Sequence, residues 1–401
     1  MKQIEIKTHY LREKLLFSLL IVIVYIVGRS IPLYRIDLSQ YIYRSLDAQE
    51  LLMQTIGGDA YKTSVFAVGI APYMIASILV QIASAIRNIG TKTRLSARHL
   101  NRITIRVALV LAVLQAFILV QGVIFIEDQE PLIIKQGIAV LELVAGVMII
   151  IWLTTANKKY GVGGQTTIFL VNITDGIVRM LRGHSLDQMK IPLMIGLCGV
   201  VIALIFEGAQ KQIPLQRISI HNVYSDKNYY AIKMNPIGVM PIMFSTALFT
   251  LPQMALFGLN RAFPNNQTLT EIEENLVLTR PLGIIVYIMI IYVLCIGFSF
   301  LMLNPREMAE QLHKSGDSIV DIHAGRDTKR YLSWSVFRIS FFSATVMGIY
   351  VGIPLFLQVA GNVDRSLMML PTSCMMIASM WYTIYQEIIA IRKFESYHSF
   401  I

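Results

Sequence analysis

The sequence predicts an all-α integral membrane protein of about ten transmembrane helices, and three observations predict it. The first is composition. The 401 residues are 55% hydrophobic and only 15% charged, where soluble domains carry about 25% charged residues. Such a chain cannot cover itself with polar groups, so lipid must cover much of it. The second is the run length. Apolar stretches fall at about 15–33, 64–86, 104–126, 133–154, 162–181, 191–206, 236–257, 281–303, 334–357 and 366–390, and one span needs roughly 20 apolar residues. The third is where the positive charge lies.

With the first residue on the cytoplasmic side, the inner segments hold 24 of the 35 Lys and Arg and the outer segments hold 11. Cytoplasmic loops carry the excess of Lys and Arg in membrane proteins. An even number of spans, with both termini cytoplasmic, satisfies this rule. The formal net charge of +10 is therefore a mark of orientation and gives no reason to invoke nucleic acid. The first apolar run, Leu15 to Val27, has no small-residue cleavage site after it and more spans follow, so it is read as a span and not a cleaved signal.

The elements follow in order. The sixth run is short and must gain length from its flanks or sit deep in the bundle. Two segments are too polar to span and too long for turns: Arg35 to Lys62 outside and Leu303 to Ser333 inside. The second opens with Asn304-Pro305-Arg306-Glu307, in which Asn at the N-cap, Pro at the first helical position and Glu at the third predict a helix start. Gly316 is its predicted stop. Cys198, Cys295 and Cys374 each stand alone in apolar runs, which gives neither a disulfide framework nor a metal motif. Glu142 sits mid-span with no second intramembrane acid or base to form a relay, so a helix neighbour or an inward polar group is its expected partner.

No HExxH, GxSxG or paired-Asp pattern occurs, so the chain is read as a non-enzyme without a cofactor. Gly161-x-Gly163-Gly164 has no strand before it and is not a phosphate loop.

Five blocks carry a family resemblance. They are Gly57-Gly58-Asp59-Ala60 with Ser64 to Ser77, Gly161-Val162-Gly163-Gly164, Phe206-Glu207-Gly208-Ala209-Gln210 with Lys211-Gln212-Ile213-Pro214, Asn235-Pro236-Ile237-Gly238-Val239-Met240-Pro241, and Asn304-Pro305-Arg306-Glu307 with Lys314-Ser315-Gly316. In order and spacing they resemble the SecY protein translocase channel family. The resemblance implies two inverted five-helix halves, about 1–185 and 186–401, around a central pore. It implies a plug within about 35–62 and cytoplasmic loops at about 207–235 and 304–333. It implies a SecA-type motor ATPase, a SecE-type small membrane subunit or accessory Sec proteins, and an unfolded secretory polypeptide as cargo across the plasma membrane. His323-Ala324-Gly325 and Gly208-Ala209-Gln210 depart from the family's usual loop motifs. In this the chain is similar to the family's accessory branch in Gram-positive cocci, which exports serine-rich glycosylated adhesins. A general housekeeping channel and a secondary transporter are the alternatives.

The same resemblance assigns site residues by position. The pore ring falls on Ile70, Met74, Val162, Thr166, Leu170, Met243 and Met376. A narrow apolar neck passes a chain yet denies ions a substitute for their hydration shell. Methionines in membrane helices are ordinarily packing or lipid-facing, and only the family alignment singles these out. Leu51, Leu52, Ile56, Gly57 and Gly58 fall in the plug, for which an ordinary outer-loop helix is the plainer reading. Ser77, Gln81, Gln115 and Ser245 are polar candidates for a lateral gate, although Gln in a span more often only packs a helix pair. His323, Arg326, Lys329 and Arg330 are candidates for motor docking, and the positive-inside rule alone also explains the charges. The topology is testable with Glu5→Cys and His398→Cys in a background lacking the three native cysteines. Both sites should react with an impermeant thiol reagent only after permeabilisation. Labelling of position 398 from outside would rule out an even number of spans.

Overall fold

A computed structural model describes residues 10–37, 63–90, 96–126, 130–181, 186–217, 229–263, 266–361 and 367–396. Helices α1 (Tyr10–Arg29), α2 (Ala71–Gly90), α3 (Ala97–Gln121), α4 (Leu132–Tyr160), α5 (Gln165–Leu181) and α6 (Leu186–Gly208) come first. Strands β1 (Gln210–Arg217) and β2 (Tyr229–Lys233) lead to α7 (Met240–Ala262), α8 (Gln267–Asn275), α9 (Pro281–Leu303) and α10 (Pro305–Ser315). Strand β3 (Asp317–Ile319), α11 (Arg326–Val359), a short 3-10 turn (Leu367–Met369) and α12 (Leu370–Ser396) complete the described chain.

Each predicted span coincides with a helix among the described residues. Seven of them, α3, α4, α6, α7, α9, α11 and α12, are long and apolar enough to cross a membrane. The second predicted span is shorter than expected. It becomes helical only at Ala71, because Gly69 takes a left-handed φ of 66° and Pro72 supplies no N–H to a preceding turn. The sixth is longer than expected. Its helix starts at Leu186 and runs 23 residues, recruiting polar flanking residues that apolar counting left out.

Glycine lets two parts of the N-terminal region meet. A Cβ at Gly146 of α4 would overlap the Val65 carbonyl oxygen, so the chain leading into α2 lies directly on α4. Bridges between Pro32 and Ser64 and between Ile36 and Phe125 hold the same region. Glu142 finds its partner here, accepting the Tyr34 N–H at 2.9 Å. An apolar cluster of α2, α3 and α4, including Ala108, Ala112, Ala116, Leu143 and Val147, closes around it.

The segments that follow α6 and α9 are not purely helical, which corrects the all-α expectation. They build a three-stranded sheet in the order β2-β1-β3. β1 pairs with β2 from Gln210 to Pro214 and with β3 from Leu215 to Arg217. Pro214 therefore sits at the hand-over between partners, where a missing N–H costs least. Ile213, Ile232, Ile319, Met308, Leu312 and Leu332 form the apolar layer that joins this sheet to α10 and α11.

Helix α10 spans the residues that the sequence predicts, with Gly316 as its left-handed cap at φ 74°. Its start also falls where the sequence puts it, with Asn304 as N-cap and Pro305 in the first turn. The Asn304 side chain makes no capping bond. Asn304 itself adopts φ 39°, ends α9 with its N–H on Phe300 O, and begins α10 in the same residue. Asn is among the few side chains that tolerate this conformation.

Gly146→Ala should lower stability by about 1–3 kcal/mol, as overpacking against backbone does. Gly137→Ala on the same helix, where a Cβ meets nothing within 4 Å, should leave it unchanged or slightly raised. Thermal unfolding of both variants in one detergent checks the contrast.

Candidate functional site

The main apolar cluster lies where α2, α5, α7 and α12 converge. Each element brings its residues there for a local reason. Ile70 closes the irregular entry to α2, its carbonyl accepting from Tyr73 and Met74 N–H at 3.1 Å, which sets Met74 one turn inside. Val239 precedes α7, Pro241 lies in its first turn, and Met243 follows. Met376 comes from the second turn of α12. Ile70 and Met376 are 0% exposed, Met74 1% and Met243 4%, so four of the seven predicted ring residues are closed off in one cluster. Leu170 packs against its edge.

The other two lie elsewhere. Val162 belongs to the turn before α5, its N–H held by Ser18 Oγ at 2.7 Å and its carbonyl by Asn157 Nδ2 at 3.1 Å. Thr166 is half-buried in the first turn of α5. Neither is part of the main cluster.

Its members are aliphatic, thioether and aromatic side chains, with the hydroxyls of Tyr25, Tyr287 and Tyr350 among them. The four ring residues themselves present only methyl, methylene and thioether groups, which cannot replace an ion's water. Methionine's unbranched, polarizable chain can re-pack around whatever passes.

Helix α7 packs on α2 and, more lightly, on α3. The four gate candidates do not bond across that seam. Ser77 Oγ donates to Met74 O and Ser245 Oγ to Ile242 O, each at 2.7 Å on its own helix. Gln81 is exposed. Gln115 of α3 is 5% exposed and its Nε2 has no partner. The plug candidates Leu51, Leu52, Ile56, Gly57 and Gly58 lie outside the described residues. His323, Arg326, Lys329 and Arg330 are all exposed, three of them in the first turns of α11. That helix has 34 residues, about 51 Å at 1.5 Å per residue, well beyond the roughly 30 Å of hydrocarbon. The helix is therefore longer than one crossing needs.

Sequence reasoning missed two polar junctions. In one, Arg29 of α1 reaches Asp175 of α5 at 3.0 Å, while Asn172 Oδ1 accepts from Tyr25 Oη at 2.9 Å and Arg29 Nη1 at 3.1 Å. Asp175 lying within an apolar run was the available signal. In the other, Glu207 at the end of α6 accepts from Ser379 of α12. Nothing in the sequence brings those two positions together.

A bundle with seven helices long and apolar enough to cross a membrane is that of a multi-pass membrane protein. The chain belongs to the SecY family of protein-conducting channels: the family model described as SecY matches residues 64–385. Its relatives include accessory Sec system protein translocase subunit SecY2 of Leuconostoc gelidum subsp. gasicomitatum, 31% identical over 380 residues, covering 89% of this chain and 88% of the relative. The protein of the same name in Streptococcus gordonii is 28% identical over 400 residues, covering 96% and 97%. Among solved structures, the fold is similar to one described as a protein-conducting channel, with a TM-score of 0.71 at 17% identity, covering 96% and 93%. It is also similar to Sec61 in the canine ribosome-channel complex, with a TM-score of 0.66 and the same identity and coverage.

Met243→Lys should put a charge into this core, hydrate it and raise resting ion conductance roughly tenfold or more in a planar bilayer without cargo. Met289→Ala on the exposed face of α9 should leave conductance as in the parent. A folded Met243→Lys protein as tight as the parent would remove Met243 from the pore.

Proposed function

We propose that the chain is the channel of an accessory secretion system, dedicated to a few cargoes such as serine-rich glycosylated adhesins. In this reading the ten helices α1 to α7, α9, α11 and α12 all span the plasma membrane. They form two inverted halves, 1–185 and 186–401, with both termini cytoplasmic. A separate SecA-type ATPase pushes unfolded polypeptide through, and a SecE-type small subunit or accessory Sec proteins complete the assembly. The plug lies in the segment before α2.

The observation that carries the reading is the meeting of α2 with α7 over the uncharged core of Ile70, Met74, Met243 and Met376. A seam whose serines bond within their own helices opens by parting mainly apolar surfaces, and an inserted apolar signal helix can replace what each surface loses. Names carried by the relatives support the accessory assignment. The exposure of His323, Arg326, Lys329 and Arg330, with no ion pair to any of the three cations among the described residues, supports a docking surface for an acidic partner.

The test is a lock across the seam. In proteoliposomes with motor and unfolded cargo, an oxidised Ser77→Cys/Ser245→Cys pair should block transport, and reduction should restore it. In a second arm, reversing Arg326, Lys329 and Arg330 to Glu should weaken motor binding at low salt while insertion stays normal. Full transport through the locked pair would overturn the gate, and unchanged motor affinity would overturn the docking surface.

A further inference from the structure

Where the cytoplasmic hairpin leaves the membrane, one carboxylate is nearly closed off from solvent. Glu207, the penultimate residue of α6, is 5% exposed. Its Oε1 accepts the Ser379 hydroxyl of α12 at 2.5 Å. Ser379 is itself 2% exposed and lies three residues beyond Met376, on the same face of the helix. The same carboxylate oxygen lies against the chain entering α7. Gly238 there holds φ 68°, and a Cβ on it would stand 3.0 Å from Glu207 Oε1. Gly238 ends the turn whose next residue, Val239, caps α7, and no side chain caps that helix. A negative charge is favoured beside such a helix start.

Both legs of the hairpin are tied at this point. Ala209 N–H bonds Ile205 O at 2.8 Å, Met234 N–H bonds Ala209 O at 2.9 Å, and Gln210 pairs with Lys233. Asn235, 3% exposed, accepts from Ser343 of α11 at 3.4 Å. Glu207, Asn235 and Ser379 also line a closed cavity of about 10 Å³, near the space one water needs.

We infer that Glu207 is a positioning residue for the channel's seal. It fixes the entry of α7, five residues before Met243, to the α12 turn that follows Met376, and so joins both C-terminal contributions to the core at the root of the hairpin. This rests on the reading of the core as the seal. A buried carboxylate is costly unless its bonds are made, so Glu207 constrains the geometry of its neighbours more narrowly than non-directional apolar packing would. Displacement of the hairpin by a docked partner would reach Met243 and Met376 through this contact.

The experiment is resting ion conductance in planar bilayers, with thermal unfolding measured in parallel. Side-chain contacts of this class couple by about two- to a hundredfold in an equilibrium. Glu207→Ala and Ser379→Ala should each raise the leak by at least about twofold on that scale, and the double variant should leak no more than the worse single one. Glu207→Gln keeps the acceptor for Ser379 and should stay closer to the parent than Glu207→Ala. A role in stability alone would lower the unfolding temperature and leave conductance unmoved. If Glu207→Ala does not fold, Ser379→Ala decides. Tight Glu207→Ala and Ser379→Ala channels beside a leaking Met243→Lys channel would overturn this inference and spare the seal. A tight Met243→Lys channel would overturn both.

Discussion

The contact between α2 and α7 is the interaction on which the proposed channel depends. In that reading it must be tight enough that ions find no ligand in it and weak enough to part. Apolar packing meets both demands. Its strength scales with buried area, so an entering apolar segment can compensate for the surfaces it separates. A network of interhelical hydrogen bonds at Ser77, Gln115 and Ser245 would have to be broken bond by bond, and the two serines instead bond within their own helices.

Around that contact the protein invests in rigidity. α6 packs along α12, and α9 along α11. α9 meets α7 through two ring pairs, Phe244 against Phe298 at 5.0 Å and Phe249 against Tyr287 at 5.6 Å. The polar junctions lie at the margins of the apolar core. Arg29 and Asp175 tie α1 to α5, and Glu207 and Ser379 tie α6 to α12. Charge is thus used to hold helices in place where no ion has to be kept out.

How much of this was legible in the sequence follows from the range of each interaction. Apolar run length is local, so all ten helical stretches were visible, and Pro305 with Gly316 marked α10 at both ends. The sheet was hidden because β1 contains Pro214, which argues against a strand unless the pairing partner changes there, and because β3 has three residues and lies far along the chain. Ile70, Met74, Met243 and Met376 could be assigned to a pore ring only through a family pattern, since a buried methionine looks the same wherever it packs. Val162 was assigned by the same pattern, and Ser18 and Asn157 hold its backbone within the turn before α5. The Glu207 junction depends on residues from four separate stretches of chain, and no local signal encodes it.

The single residue that both ends α9 and begins α10 leaves the joint between them without slack. Helical phase advances about 100° per residue, and the side chains that seat α10 on the sheet, Met308, Ala309 and Leu312, occupy one narrow arc. One extra residue at Asn304 would swing that arc toward solvent and expose polar positions to the sheet in its place. The joint can therefore tolerate substitution more readily than insertion or deletion, and lengthening of this segment is accommodated more readily after Gly316.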